Sequence, residues 1–333
     1  MKIKVIAEAG VNHNGSLTIA KKLASKAKKI GADYVKFQIF NTEEMAIKTL
    51  KKTFYQNKNT TSKFDNQYQM LSKLSLSQKQ FDQLIAYCKK IKIKFLASVF
   101  DNASLDYLRR KSNIVKIGSS EISNYFLLRA IAKYNKKLII STGMSDFLKI
   151  KKVINLLIKN GQNKKKITLL HCNSAYPTPH SDANLLNITK LRNLFKIEVG
   201  YSDHTVGNEA IYAAVALGAT VIERHFTLSK KFPGPDQKIS LNPLEFREMI
   251  VGIRNLSKAL KVKKNKYTKS EKENVNLVNK FLVAKKDIKK GEKFSHKNLT
   301  AKRTGGGIES MKIEIVLDKK SNKNFKINDV IKI

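Results

Sequence analysis

Two histidines, two lysines and a set of serines and carboxylates fall at or near the ends of short apolar stretches, where core-forming segments rarely carry them. His204 closes IEVGYSDH (197–204) and His225 lies in VIERHF (221–226). If these stretches are neighbouring strands, two imidazoles can bind one divalent ion and leave positions open for substrate or water, as a Lewis acid needs. The plainer alternative is that one or both only hydrogen-bond at a rim, since histidine is a routine polar residue as well as the commonest metal ligand. Lys36 in YVKFQIF (34–40) and Lys116 in IVKIGSSE (114–121) pose a second question. An ammonium group inside a fold is costly unless it meets an anion or a carboxylate. Glu8 in VIAEAG (5–10) and Glu121 are the candidate partners for structural ion pairs. With Ser98 in KFLASVF (94–100), Ser119, Ser141 in LIISTGM (138–144) and Ser202 nearby, the alternative is an anion pocket for a phosphate and a carboxylate.

Two further signals carry less. Cys172 follows His171 in ITLLHC (167–172), which suggests a thiol nucleophile. Adjacent residues of a strand face opposite sides, however, so a cysteine packed in the core is expected. Gly305–Gly307 suggests a phosphate loop, but no suitable helix follows it; a turn that presents Arg303 is expected instead.

These residues need elements that bring them together. The eight apolar stretches alternate with amphipathic helical segments, from 17–32 to 243–262, the last with Asn242 as N-cap and Pro243 at its first position. Eight alternations predict a parallel sheet closed as a (β/α)8 TIM barrel, whose active site lies at the C-terminal ends of the strands. Residues 41–76 and 227–242 are connections long enough to cover such a site. The expected organisation is a barrel over 1–262, a linker with a short helix over 263–280, and a small, mainly β domain over 281–333. That last domain is near the lower size for independent folding, so docking on the barrel or on a partner subunit is expected.

Composition narrows the function classes. The formal net charge is +39, yet only 8 of the 65 basic residues are Arg and the Lys are spread over most segments. Arg is the preferred reader of phosphates and guanine, so specific nucleic-acid recognition is not expected. No 18-residue apolar run and no signal-peptide pattern is present, and the two cysteines make no disulfide framework. A soluble, cytoplasmic protein with no membrane contact is expected.

At these residues the chain resembles the sialic acid synthase family, the N-acetylneuraminate and N,N'-diacetyllegionaminate synthases. The matching stretches are AEAGVNHNG (7–15), VKFQ (35–38), KIGSSE (116–121), STGM (141–144), LLHCNSAYPTP (169–179), GYSDHT (200–205), ALGATVIERHFT (216–227) and PGPD (233–236), in the family's order. The tail DIKKGEKFSHKNLTAKRTGGG resembles that family's C-terminal antifreeze-like (SAF) domain. The resemblance implies a transferase that joins phosphoenolpyruvate to an N-acetylated mannose-type sugar, forming a C–C bond and releasing phosphate. It implies that His204 and His225 ligate a divalent metal, manganese first, with magnesium or cobalt as alternatives. It implies that Lys36, Ser98, Lys116, Ser119, Ser141, Tyr176 and Ser202 form the phosphoenolpyruvate pocket, and that Glu8, Gln38, Glu121 and Asp236 lie near the sugar or the reacting carbons. Arg303 resembles a residue that reaches the partner subunit's site in a domain-swapped homodimer.

The chain departs from the family pattern at Ser98, Val99, Ser174 and Thr304, where Thr, Pro, Asn and Pro are frequent. His171 fits the neuraminate and legionaminate branches better than the pseudaminate one. Three other readings stay in play: a pseudaminate synthase, a synthase acting on a sugar phosphate, for which no second Arg cluster is apparent, and an inactive barrel that binds glycans or polyanions.

Overall fold

The computed structural model describes residues 3–60, 66–261 and 267–333. Part of the 41–76 connection and the beginning of the expected linker lie outside the described residues. Eight strands form a closed, all-parallel barrel in chain order: β1 Lys4–Gly10, β2 Tyr34–Ile39, β3 Lys94–Val99, β4 Ile114–Ile117, β5 Lys137–Ser141, β6 Ile167–His171, β7 Glu198–Asp203 and β8 Val221–His225. Closure comes from β1 pairing with both β2 and β8, which places Glu8 beside Lys36 on one side and His225 on the other. The TIM-barrel expectation is met.

The helices between strands begin where the sequence supplies caps. Ser16 accepts the amide of Ile19 ahead of helix Leu17–Lys29, and Ser77 with Gln80 forms a capping box on helix Gln78–Lys90. Asn242 and Glu245 do the same for helix Pro243–Ala259, with Pro243 at its first position as expected. The 41–76 connection is not a plain loop. It holds three short helices, Thr42–Met45, Phe54–Asn59 and Gln67–Leu74, and Met70, Leu71 and Leu74 pack on Val11 and Phe40 over the β1 and β2 ends. Its polar composition hid that short apolar face.

Apolar residues form two separate populations in the barrel. The larger lies between strands and helices and includes Val5, Val35, Phe37, Ala97, Ile117, Ile140, Leu169, Val199 and Ile222. The smaller fills the barrel interior: Ile6, Tyr34, Leu96, Ile139, Leu170 and Val221, with Ile114 against them. Gly200 takes the β7 place beside this cluster; a Cβ there would stand 2.4 Å from the Val221 carbonyl oxygen and 2.6 Å from Leu170. Each fully buried aliphatic side chain contributes roughly 1.5–3 kcal/mol.

The chain parts into two compact units, Met1–Lys261 and Val262–Ile333. In the second, helix Lys269–Val278 precedes an antiparallel pair, β9 Phe281–Ala284 and β10 Leu299–Lys302, closed over Ile288, Phe294, Val316, Phe325 and Ile331. Among the described residues no helix is long and apolar enough to cross a membrane.

Candidate active site

The side chain two residues beyond each apolar floor position faces the same interior. On β1 to β8 these positions are Glu8, Lys36, Ser98, Lys116, Ser141, Cys172, Ser202 and Glu223, of which Cys172 stands one residue past its strand. All eight are buried. The Lys36 ammonium lies 3.2 Å from Glu8 Oε2 and 3.2 Å from Glu223 Oε2, and donates to Ser98 Oγ at 3.1 Å. Lys116 donates to Ser141 Oγ at 2.7 Å and to the Ile117 carbonyl at 3.0 Å, with Glu223 Oε1 3.7 Å away. Ser202 donates to Glu223 Oε1 at 3.0 Å.

The expected partner Glu121 is not part of this network. It sits in the 3-10 turn Ser120–Ser123, where its Oε2 accepts from Asn124 Nδ2 at 2.8 Å. The strand ends at Ile117, so the chain turns away before Glu121 can enter the lysine layer. Glu223 takes that role. Its signal was present: it lies two residues before His225, hence on the same face of the same strand.

Burial and mutual charge set the protonation states. Burial raises the Glu8 carboxyl to about 7, against the attraction of Lys36 and with the repulsion of Glu223. Glu223 is buried too, yet Lys116 and Lys36 together hold it down at about 2. The two carboxylates differ because one faces two ammonium groups closely and the other faces one. Burial lowers Lys116 to about 8, against the pull of Glu223; Lys36, equally buried, is held above its ordinary value by Glu223 and Glu8.

At the mouth, His204 and His225 do converge. Their ring centroids are 5.5 Å apart, and the Tyr176 ring lies 4.2 Å from His204 and 5.8 Å from His225. Burial pushes His204 down to about 4; burial, then the neighbouring His204, pushes His225 well below its ordinary value. Both imidazoles are therefore neutral near pH 7, the form that ligates metal. His204 Nδ1 bonds the Asn173 carbonyl, which can only accept, so its proton is on Nδ1 and its lone pair on Nε2. His225 Nδ1 is buried without a hydrogen-bond partner, 4.0 Å from Asp236 Oδ2. A neutral pair with a free lone pair and an orphaned nitrogen fits a divalent ion. Among the described residues no group of three or more His, Cys, Asp and Glu side chains is gathered for one, so two imidazoles would be the protein's share.

Two further clusters of polar side chains lie at the strand ends. In one, the Gly143 amide donates to Ser119 Oγ at 3.2 Å, and Cys172 Sγ lies 3.2 Å from the same hydroxyl. A Cβ on Gly143 would stand 2.4 Å from Ser174 Oγ and 2.8 Å from Ser119 Oγ, so only glycine leaves this cradle open. Cys172 is buried as expected, but in the polar layer rather than the apolar core, because strand alternation turns it inward while His171 points out to bond the Ala183 carbonyl at 2.8 Å. In the other, Gln38 Nε2 donates to Glu8 Oε1 at 3.4 Å. A β-bulge puts Gly10 at φ 50°, and a Cβ there would meet Glu8, Gln38 and Asp236 within 3.7 Å. Glu8, Gln38 and Asp236, separated in sequence, therefore share one wall. Burial raises the Asp236 carboxyl to about 6. A cavity of about 900 Å³, lined by Ser174, Tyr176, His204, Asn59, Lys238 and Ile239 among others, leads out from the mouth. Arg303 stands exposed just after β10 in the second unit, where Thr304 Oγ1 bonds the Gly306 carbonyl in the expected turn.

The chain is similar to known proteins over both of its units. The NeuB family model matches residues 23–265 and the SAF domain model residues 280–333. An N,N'-diacetyllegionaminic acid synthase of Campylobacter jejuni is 48% identical over 332 residues, 99% of each chain. One from Legionella pneumophila is 37% identical, over 96% of this chain and 91% of its own. The crystal structure of an N-acetylneuraminic acid (sialic acid) synthetase from Leptospira borgpetersenii, in complex with citrate, matches with a TM-score of 0.71 at 32% identity, covering 83% of this chain and 90% of that one.

Proposed function

Since the chain belongs to the NeuB family of sialic-acid-type synthases, we propose that it condenses phosphoenolpyruvate with an N-acetylated mannose-type sugar, and that the acceptor is the 2,4-diacetamido-trideoxy sugar that yields N,N'-diacetyllegionaminate. The choice of acceptor rests on the two relatives named for that product. The single observation that carries the reaction is the placement of two buried lysines, counterbalanced by Glu8 and Glu223, directly below a neutral histidine pair.

In this reading Lys36 and Lys116, with Ser98, Ser119, Ser141 and Ser202, bind the phosphate and carboxylate of phosphoenolpyruvate. Two preformed cationic centres in a dry site stabilise these charges without reorganising at the moment of reaction. Tyr176, packed on His204, completes this pocket. His204 and His225 would hold a divalent ion, manganese first, that polarises the aldehyde oxygen of the open-chain sugar. Gln38 and Asp236 orient the sugar, and Glu121, from the turn after β4, would stabilise the charge at the reacting carbon or orient the water. The methylene carbon of the enol attacks the aldehyde carbon, one C–C bond forms, and positive charge develops at the enol carbon. Water adds there, and the resulting tetrahedral carbon expels phosphate to leave the ketone. Glu8, with a carboxyl near 7, can hold or release a proton beside these atoms at neutral pH. Arg303 would complete the sugar site of a partner subunit in a domain-swapped dimer, and cytoplasmic residence follows from the use of phosphoenolpyruvate.

The test is phosphate release with phosphoenolpyruvate, manganese and either N-acetylmannosamine or its 2,4-diacetamido-trideoxy analogue, with product mass measured. Release with the diacetamido sugar alone supports the full reading. Release with N-acetylmannosamine alone moves the product to N-acetylneuraminate. No release with either, from a protein that binds manganese through His204 and His225, removes the synthase reading.

A further inference from the structure

The loop that carries Asp236 is fastened by Asn12, inside the AEAGVNHNG stretch. Asn12 follows β1 and is 1% exposed. Its amide nitrogen donates to the Phe226 carbonyl at 2.9 Å and to Ser240 Oγ at 2.9 Å, so both of its protons are used. Ser240 Oγ in turn donates to the Asp236 carbonyl at 2.6 Å. The Asn12 carbonyl accepts from Gln237 Nε2 at 3.0 Å, and Asn14 Nδ2 donates to the Pro233 carbonyl at 2.7 Å. The segment's ends are set by the backbone: Phe226 donates to the Glu8 carbonyl at 2.7 Å and Leu241 to the His225 carbonyl at 2.9 Å. Residues 227–240 between those ends form no strand or helix and hold only turn bonds such as the Ser240 amide to the Gln237 carbonyl at 3.3 Å, so side chains share in fixing where Asp236 points.

We propose that Asn12 is a positioning residue for the acceptor sugar: its amide clamps Phe226 and Ser240 together, and through Ser240 it fixes the Asp236 backbone, from which the carboxylate reaches the wall it shares with Glu8 and Gln38. The assignment of that wall to the sugar rests on the function proposed above; the clamp itself does not. The clamp touches neither lysine nor any serine of the Lys36–Lys116 layer. Its loss displaces a sugar contact and leaves phosphoenolpyruvate binding intact. A residue that merely supported the fold would affect both substrates alike.

Asn12→Ala, Ser240→Ala and Ser240→Thr, each as the full-length manganese-loaded protein, distinguish these cases. The expected result for both Ala variants is an acceptor KM raised about tenfold, the loss of roughly one buried hydrogen bond's worth of sugar binding, with the phosphoenolpyruvate KM within about twofold. Ser240→Thr, which keeps the hydroxyl, restores the acceptor KM. Should Asn12→Ala not fold, the Ser240 pair carries the comparison. Equal rises in both KM values, or an unchanged acceptor KM, overturn the proposal. Hydrogen exchange read by mass spectrometry gives an answer independent of turnover: amides of 230–240 exchange about tenfold faster in Asn12→Ala while strand amides do not. Unchanged exchange there overturns the clamp. A wild-type protein that releases no phosphate, with exchange changed as expected, removes the synthase reading and leaves the clamp standing.

Discussion

The apolar floor of the barrel and the charged layer above it lie two residues apart on the same strands. They share burial, strand geometry and direction. The floor, with Ile6, Leu96, Ile139, Leu170 and Val221, gains stability from every atom removed from water. The layer above, with Glu8, Lys36, Lys116 and Glu223, loses hydration that its ion pairs only partly return. The floor's chemistry follows from folding alone; that of the charged layer does not. Groups that cost free energy to bury are here kept, balanced and hydrogen-bonded rather than replaced, which is the feature the proposed function draws on.

The largest break in that comparison is expected from Glu223→Gln. It leaves Lys116 without its close carboxylate and Lys36 with one, and should destabilise the chain by about 3–5 kcal/mol, read by urea unfolding, with phosphoenolpyruvate-dependent turnover lost. Replacing the four ions together by Met or Leu should instead give a folded chain about as stable as the original and inactive. A collapsed quadruple variant would mean that the ions build the fold. Next in size is Leu96→Ala in the floor, at roughly 3 kcal/mol, with acceptor and phosphoenolpyruvate KM values unchanged below its melting range.

Acid should single out the charged layer. Glu223 has its folded pKa near 2 against an ordinary 4.5, so its contribution is present above 4.5 and lost as pH falls toward 2. At about 1.4 kcal/mol per unit the loss is at most about 3.5 kcal/mol. Glu8, raised to about 7 from 4.5, acts with the opposite sign: stability declines as pH rises from 4.5 through 7. Unfolding followed from pH 2 to 8 should show both limbs, and Glu223→Gln should remove the acid one. The smallest effects are expected from Gly200→Ala, about 2 kcal/mol from its collision with the Val221 carbonyl, and from Ser202→Ala, about 1.5 kcal/mol from one hydrogen bond to the charged Glu223, both by urea titration.

Much of the barrel was legible because strands buried on both faces read as apolar runs, and period two sorts their residues. The same period placed Lys36, Ser98, Lys116, Ser141 and Ser202 on one interior face. Glu121 misled because a residue four positions past a strand's last turn of alternation looks as if the strand still governs it. Glu223 is visible in VIERHF as a polar residue of the last strand, but beside the more conspicuous His225 nothing in the sequence marks it as the partner of both lysines. The helices within 41–76 were hidden by polar composition, and their apolar positions make sense only over Val11 and Phe40.

By itself the amino-acid order determined the alternation of strands and helices, their caps, and which side chains share a face, because these follow from local geometry and the next few residues. Tertiary structure alone decided which carboxylate meets which ammonium, how Asp236 comes to stand beside Glu8 and Gln38, and why Asn12 is buried. Those outcomes depend on closing β1 against β8 and on the course of a loop whose nearest neighbours lie more than two hundred residues away in the chain. Neither propensity nor periodicity carries information across that separation.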